Sequence, residues 1–256
     1  MKKFLPTLLI MAILSIPVSS SIGEPRGFLG AAFNNTIALY ATVDGKNQFD
    51  CSAAIYESVP NKLHHEYHII SAGHCVQEIP VATFSVADNI GGKQYPVTLM
   101  HVRDDDTVDF SQFDLVTDKT YPVISFGDES TLRVGDSVIN PNFGQGVGKQ
   151  LSLGQISTQD LTSTDYCKPC VGEFFAQLDD AAGSSGSVII SKKTHKIVGM
   201  VEAEIYNDEG QLVNIGMVIE PISRFQIFLQ QPTQSHPVPP SVDVFIQEII
   251  NSITGK

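Results

Sequence analysis

Residues 69–75 (IISAGHC) run from a β-branched apolar start, through small residues, into a histidine and a cysteine. The start predicts a strand, and the small residues predict where it ends. A general base has to be held at a fixed point. A bridge between Cys75 and Cys51 would fix this turn to a neighbouring strand, so His74 is a candidate base. The alternative is a structural histidine beside a structural disulfide.

Short runs rich in Val, Ile, Phe and Thr, bounded by Gly, Asp, Asn or Pro, fill the chain from Thr36 to Glu220 without helical periodicity. The first predicted strands are 36–43, 49–56, 67–71, 81–86, 94–102 and 115–117. After a break near 118–122, the next are 123–126, 137–141, 150–158, 174–177, 187–191, 197–205 and 213–219. Two sets of about six strands predict an all-β chain, as two closed barrels or one long sandwich.

A tight turn at residues 183–187 (GSSGS) has glycines on both sides of Ser185. A serine hydroxyl becomes a nucleophile beside a base that takes its proton, and the attacked carbonyl needs backbone N–H groups aimed at its oxygen. Gly183 can adopt a left-handed conformation that turns its N–H inward, and Gly186 is expected to leave room for a substrate backbone. We therefore predict Ser185 as nucleophile and the N–H groups of Gly183 and Ser185 as an oxyanion hole. Alone the turn is weak support, because glycine–serine turns are common.

The predicted base also needs a carboxylate that fixes its tautomer. The candidates between His74 and Ser185 are Asp104, Asp105, Asp106, Asp109, Asp114 and Asp118. The run 104–106 predicts a solvated turn. Asp109 opens the apolar-leaning stretch 109–113, where a carboxylate can be buried at the start of a strand. Asp109 is therefore the first candidate and Asp114 the second.

The order His, Asp, Ser resembles the chymotrypsin-like serine proteases, over about Thr36 to Phe228. Residues 51–54 (CSAA) and 71–75 (SAGHC) resemble that family's paired-cysteine and catalytic-histidine segments, and 109–111 (DFS) resembles its catalytic aspartate segment. Residues 127–136 (GDESTLRVGD) resemble the Deg-type bacterial branch, whose register favours Asp109 over Asp114. The GSSGS turn resembles the glutamyl-endopeptidase branch more than it resembles the Deg-type branch.

This resemblance implies two six-stranded antiparallel β-barrels followed by short C-terminal helices. It also implies a serine endopeptidase that uses His74, Asp109 and Ser185 to hydrolyse peptide bonds through an acyl-enzyme, with no cofactor and no metal. A protease-fold binding protein without activity is the alternative.

The same register implies a specificity pocket formed by Asp179, Glu202 and Glu204. Three carboxylates would favour Lys or Arg before the cut by charge complementarity. In the alternative, Asp179 or Asp180 faces solvent, and a Glu-preferring endopeptidase is the competing specificity.

The N-terminus has the three-part pattern of a secretory signal peptide: Lys2 and Lys3, an apolar run from Phe4 to Val18, and serines at 19–21. A membrane anchor is the alternative, but the run is short for a span of about 20 residues. We expect cleavage after Ser20 or Ser21 and a secreted or periplasmic protein that is not membrane-bound afterwards.

The net charge is −12, and removal of Lys2 and Lys3 makes it −14. Such a chain repels nucleic acid and anionic lipid. We expect protein or peptide substrates as its partners and a monomer.

Four cysteines in an exported chain suggest two disulfides, with three possible connectivities. The spacing favours Cys51–Cys75 and Cys167–Cys170. A redox dithiol at Cys167 and Cys170 is the alternative, but that chemistry uses a helix N-terminus after a parallel strand, whereas a loop is predicted here.

The predicted organisation is a signal peptide at 1–21, an N-terminal barrel at 22–120, a C-terminal barrel with a short helix at 121–231, and a tail at 232–256. The short helix is predicted within 221–231. The tail joins a proline-rich linker to an amphipathic helix whose apolar positions have helical spacing.

Overall fold

The computed structural model describes residues 26–61, 63–77, 82–105, 108–158, 172–206 and 212–230, and for 204–206 and 212–216 it describes the backbone only. The predicted signal peptide, Cys167, Cys170, the proline-rich linker and the tail helix lie outside these residues and stay predictions.

The first barrel contains the strands β1 (Thr36–Val43), β2 (Lys46–Val59), β3 (His65–Ser71), β4 (Thr83–Ala87), β5 (Gln94–Asp105) and β6 (Val108–Thr117). They are antiparallel and close in the order β1-β2-β3-β6-β5-β4. Fully buried aliphatic and aromatic side chains such as Leu39, Ile69 and Phe113 fill its interior. The barrel thus buries the β-branched runs that predicted its strands.

The second barrel contains β7 (Ser137–Asn142), β8 (Gln150–Thr158), β9 (Phe174–Gln177), β10 (Val188–Ser191), β11 (Ile197–Tyr206) and β12 (Leu212–Pro221). Its order, β7-β8-β9-β12-β11-β10, repeats the winding of the first barrel. The prediction of two six-stranded barrels is confirmed, and the single sandwich is excluded.

Two predicted strands differ from the observed ones by more than a few residues at their ends. Residues 123–126 do not form a strand, because only Phe126 makes an isolated bridge, to Ile197. The strand predicted at 115–117 begins earlier, at Val108. The first half of this strand was not predicted because it contains polar residues. These residues are buried with hydrogen-bond partners: Ser111 Oγ donates to Ala72 O, and Gln112 Nε2 donates to Tyr56 Oη.

In the described part of the chain, three α-helices accompany the barrels: α1 (Gly27–Asn35), α2 (His74–Gln77) and α3 (Ile222–Phe228). Helix α3 confirms the prediction within 221–231, whereas α1 was not predicted. The ring centroid of Phe225 on α3 lies 5.0 Å from that of Phe110 and 5.4 Å from that of Tyr56, both in the first barrel. Helix α3, which follows the last strand of the second barrel, therefore packs against the first barrel. Among the described residues, no helix combines the length and apolar character needed to cross a bilayer.

Candidate active site

His74 and Asp109 form a closely bonded pair in the first barrel. Strand β3 ends at Ser71, His74 is the first residue of α2, and Asp109 is the second residue of β6. The distance from His74 Nδ1 to Asp109 Oδ2 is 2.7 Å, and the main-chain N–H of His74 donates to Asp109 Oδ1 at 2.7 Å. Both carboxylate oxygens of the buried Asp109 therefore hold His74 in place, and Nε2 is left to face a reacting group.

The turn before His74 is braced on both sides. The predicted disulfide Cys51–Cys75 is present and joins β2 to α2. Gly73 lies against the carbonyl oxygen of Arg103, and a Cβ at this position would overlap that oxygen and come within 3.0 Å of Asp109 Oδ1. A residue larger than glycine would therefore separate His74 from its carboxylate.

The pKa of His74 is raised above its ordinary value of 6.5. Burial is the largest influence and lowers it, but the hydrogen bond and charge of Asp109, together with the charges of Asp104 and Asp50, outweigh burial. The aspartates favour the imidazolium, which is the form that a general base acquires when it takes a proton.

Ser185 faces the same cavity as His74 and Asp109, at the seam between the barrels. This cavity of about 500 Å³ is lined by these three residues and by Asp104, Ala181, Ala182, Glu202, Ala203 and Met217. The Ser185 hydroxyl donates to the backbone oxygen of Glu202 at 3.3 Å, and within the described ranges it makes no hydrogen bond to His74.

The turn of residues 183–187 contains two glycines with a positive φ, on either side of Ser185. Gly183 has a φ of +93°, which favours glycine. Gln145 N donates to Ala182 O at 2.6 Å, which fixes the peptide between Ala182 and Gly183. Because this peptide is trans, the Gly183 N–H points the opposite way. The N–H groups of Gly183 and Ser185 make no hydrogen bond within the described part of the chain, so both can donate to a ligand.

Gly186 has a different role from the expected one. Its φ is +79°, and a Cβ there would overlap Ser71 Oγ and Ser52 O and lie 2.8 Å from Ala72 N. The first barrel, not a substrate, occupies the space beside it. The close approach of the two barrels therefore requires glycine here.

The expected specificity residues separate in the structure. Asp179 is exposed and lines a different cavity, with Lys192, Gln177 and Ser137. Its neighbour Asp180 turns inward, where Oδ1 accepts from Asn142 Nδ2 at 2.7 Å and from Ser152 Oγ at 2.5 Å. The structure thus places Asp179 apart from the cavity of Ser185, as the alternative anticipated. Glu202 does line the cavity beside Ser185, and the side chain of Glu204 lies outside the described residues.

A cluster of three glutamates, Glu173, Glu202 and Glu220, lies beside Asp109, and sequence reasoning did not find it. Glu220 Oε2 accepts a 2.9 Å hydrogen bond from the main-chain N–H of Asp109. Arg224 Nη1 lies 3.1 Å from Glu173 Oε1 and 3.8 Å from Glu220 Oε1. We call Glu173, Glu202, Glu220 and Arg224 the glutamate cluster.

Burial is the main reason that the pKa values of all three glutamates in the glutamate cluster are raised. It raises the pKa of Glu202 to about 9, and the charges of Glu173 and Glu220 add to this effect. Burial also raises the pKa of Glu220 to about 8, although the hydrogen bond from Asp109 N and the charge of Arg224 oppose it. For Glu173 the raised pKa is about 7, because Arg224 offsets much of the burial.

Asp114, the second candidate for the orienting carboxylate, belongs to another histidine. Its Oδ1 lies 2.6 Å from Nδ1 of His68, its cross-strand neighbour on β3. The described residues thus include two His–Asp pairs, of which His74–Asp109 lines the cavity with Ser185.

The sequence of this chain matches a known protein family over the segments that contain His74, Asp109 and Ser185. A sequence model described as a trypsin-like peptidase domain matches residues 59–200, which is more than half of the 256-residue chain. The chain belongs to the trypsin-like peptidase family. His74, Asp109 and Ser185 all lie inside the matched range, and no curated protein matches the sequence.

Solved structures of HtrA-type proteases share the trypsin-like fold of the chain. A variant of the HtrA-type protease AlgW with a tripeptide superposes with a TM-score of 0.62 at 19% identity, over 79% of this chain and 61% of that one. AlgW with a decapeptide gives a TM-score of 0.59 at 17% identity, over 79% of this chain and 66% of that one. The chain therefore spans less than two thirds of either structure, and at these identities the likeness shows the fold.

Proposed function

We propose that this chain is a serine endopeptidase in which Ser185 is the nucleophile, His74 the general base and Asp109 the orienting carboxylate. The observation that carries the proposal is the double hold of Asp109 on His74, beside a serine whose turn offers two N–H donors. Membership of the trypsin-like peptidase family supports the same reaction.

In the first half of the proposed reaction, His74 Nε2 takes the proton of the Ser185 hydroxyl as Oγ attacks the carbonyl carbon of the scissile bond. The negative charge that moves to the carbonyl oxygen is stabilised by the N–H groups of Gly183 and Ser185. Asp109 keeps the proton of His74 on Nδ1 and stabilises the imidazolium. The imidazolium then donates its Nε2 proton to the leaving amine, and the acyl group stays on Ser185.

In the second half, a water molecule replaces the amine. His74 takes a proton from the water, whose oxygen attacks the acyl carbon, and the same N–H groups stabilise the second tetrahedral intermediate. Its collapse breaks the ester bond to Ser185, and the proton on Nε2 returns to Oγ. The chain supplies every group in both halves from its own residues.

The lining of the cavity supports a small apolar side chain before the cut rather than Lys or Arg. Asp179 is absent from this cavity, and Ala181, Ala182, Ala203 and Met217 contribute apolar surface. Of the expected glutamates, Glu202 lines the cavity, and because its pKa is raised to about 9 we infer that it is uncharged at neutral pH. We therefore replace the expected basic preference with an apolar one. Matched peptides with Val, Lys or Glu before the cut test this choice, and faster cleavage of the Lys peptide would refute it.

We also propose that the enzyme acts outside the cytoplasm on proteins or peptides. The signal-peptide pattern of residues 1–21 and the Cys51–Cys75 disulfide support export, because such bridges persist in oxidising compartments. Detection of a mature N-terminus near Ser20 or Ser21 in the exported fraction tests this part.

A fluorophosphonate probe on purified mature protein tests the activity. The probe should label the wild type, and labelling should disappear in Ser185→Ala and His74→Ala. Loss of either residue should lower turnover on the order of 10⁴- to 10⁶-fold. A folded wild type that binds peptides without being labelled would instead be an inactive binding protein.

A further inference from the structure

Ser52 occupies the seam between the barrels, on β2 directly after Cys51, and its side chain is fully buried. Its main-chain N–H donates to Ser185 O at 2.9 Å, and its hydroxyl donates to Gly183 O at 2.7 Å. Every polar group of Ser52 has a partner, since its Oγ accepts from Phe143 N at 3.0 Å and its carbonyl oxygen accepts from Ser71 Oγ at 2.7 Å.

These contacts fix two peptide groups, the one before Ser184 and the one after Ser185. The peptide that carries the Ser185 N–H lies between the two held peptides, so both of its neighbours are restrained. Ser52 Oγ fixes the peptide between Gly183 and Ser184, and Ser52 N fixes the peptide between Ser185 and Gly186. The nucleophile turn is thereby attached to the first barrel at two carbonyl oxygens.

The same hydroxyl reaches the loop that supports the other side of the turn. Phe143, which donates to Ser52 Oγ, leads into the short 3₁₀ turn Gly144–Gly146. Gln145 in that turn donates to Ala182 O at 2.6 Å, although its φ of +60° is unfavourable for a side chain of this kind. Ser52 thus joins the two loops that set the direction of the Gly183 N–H.

We propose that Ser52 is a positioning residue for the oxyanion hole, which holds the nucleophile turn so that the N–H groups of Gly183 and Ser185 converge on one point. This inference rests on the proposed serine endopeptidase activity and adds to it a role for the first barrel. His74 and Asp109 supply proton transfer from that barrel, and Ser52 supplies the geometry of charge stabilisation.

Ser52→Ala tests the role, because it removes the hydroxyl and leaves Gly183 O and Phe143 N without this partner. Removal of an oxyanion donor costs about 10²- to 10³-fold in kcat. Misdirection should cost less, so we expect kcat and the fluorophosphonate labelling rate to fall about 10- to 100-fold together, with KM within about threefold. Both rates depend on the oxyanion hole, whereas a purely structural role would lower only thermal stability.

Ser191→Ala is the matched control. Ser191 is also buried, and its Oγ accepts from the N–H groups of Lys193 and Thr194, but within the described chain this turn makes no hydrogen bond to residues 183–187. The control should lose stability while keeping both rates. If Ser52→Ala does not fold, Ser52→Gly, which adds no atoms to the seam, is measured in the same way.

The outcomes separate the two proposals. A reactive wild type with unchanged rates in a folded Ser52 variant overturns the positioning role alone. A folded wild type that neither reacts with the probe nor cleaves peptides overturns the endopeptidase proposal and the role of Ser52 with it.

Discussion

The main-chain N–H of Asp109 donates a 2.9 Å hydrogen bond to Oε2 of Glu220. Asp109 belongs to β6 of the first barrel and Glu220 to β12 of the second, so this bond crosses the seam directly behind the predicted triad. The backbone of the orienting aspartate is therefore held by the opposite barrel. The glutamate cluster links the position of Asp109 to a group of buried, titratable carboxyls.

Glu220 should support catalysis as a hydrogen-bond acceptor. Glu220→Leu removes the acceptor for Asp109 N at similar volume, whereas Glu220→Gln keeps an acceptor oxygen. We expect Glu220→Leu to lower kcat between about 10- and 100-fold, because a displaced Asp109 misaligns His74. Glu220→Gln should stay within about threefold of the wild type.

Steady-state kinetics with one peptide substrate check this prediction. Equal losses in Glu220→Leu and Glu220→Gln would show that the charge of Glu220 matters and not its acceptor oxygen.

Stability should fall as the pH rises through the neutral range, because the glutamate cluster holds protons in the folded state. An unfolded glutamate ionises near its ordinary pKa of 4.5, whereas folded Glu202 keeps its proton until about pH 9. Between these values the folded state binds more protons than the unfolded state, and the free energy of unfolding decreases with pH. Glu202→Gln cannot ionise, so its Tm should lie a few degrees above that of the wild type at pH 9 and match it at pH 5. A shift of a few degrees corresponds to roughly 1 kcal/mol of stability.

Thermal denaturation at pH 5, 7 and 9 measures this difference. Glu57→Gln, at an exposed position of β2, is the control and should follow the wild type at every pH. A Glu202→Gln curve parallel to the wild type would contradict the prediction.

The sequence revealed the strands and the triad candidates, because both depend on short stretches of chain. Strands such as Thr36–Val43 are periodic apolar runs between turn residues, and the structure has this one unchanged. The choice between Asp109 and Asp114 was harder, since both lie on β6 and each has a histidine partner. The apolar-leaning stretch 109–113 and the register of the related proteases both favoured Asp109.

The pocket and the seam could not be predicted, because they form between segments that are distant in sequence. Asp179 and Asp180 are neighbours with opposite orientations, which the polar partners Asn142 and Ser152 decide. The three glutamates of the cluster come from separate segments that meet only after the second barrel closes. The sequence contains one weak indication of the role of Ser52, because it is a polar residue within the apolar run 51–56, which the structure buries.

Two His–Asp pairs of nearly equal geometry allow a matched test of the triad. Asp109→Asn should lower kcat on the order of 10⁴-fold, because the amide favours the wrong tautomer of His74. Asp114→Asn changes the pair with His68, whose histidine–aspartate distance is 2.6 Å, and should leave kcat within about threefold.

Peptide cleavage by the two variants, with circular dichroism to verify folding, decides this test. A large loss in Asp114→Asn, with retained activity in Asp109→Asn, would transfer the orienting role to the second pair.

Gly186 and Gly91 separate the cost of a left-handed backbone from the cost of steric overlap. Both have a positive φ, +79° and +72°, but a Cβ at Gly91 would meet nothing within 4 Å, whereas at Gly186 it would overlap Ser71 and Ser52. Gly91→Ala should therefore cost only the conformational penalty of about 1–2 kcal/mol. Gly186→Ala should cost about 3 kcal/mol or more, because the first barrel must also move. Chemical denaturation measures the free energy of unfolding of both variants. Equal losses would mean that the two barrels accommodate the added Cβ at residue 186 without a further cost. Since the displaced atoms include Ser52 O, we also expect fluorophosphonate labelling to fall in Gly186→Ala and to be unaffected in Gly91→Ala.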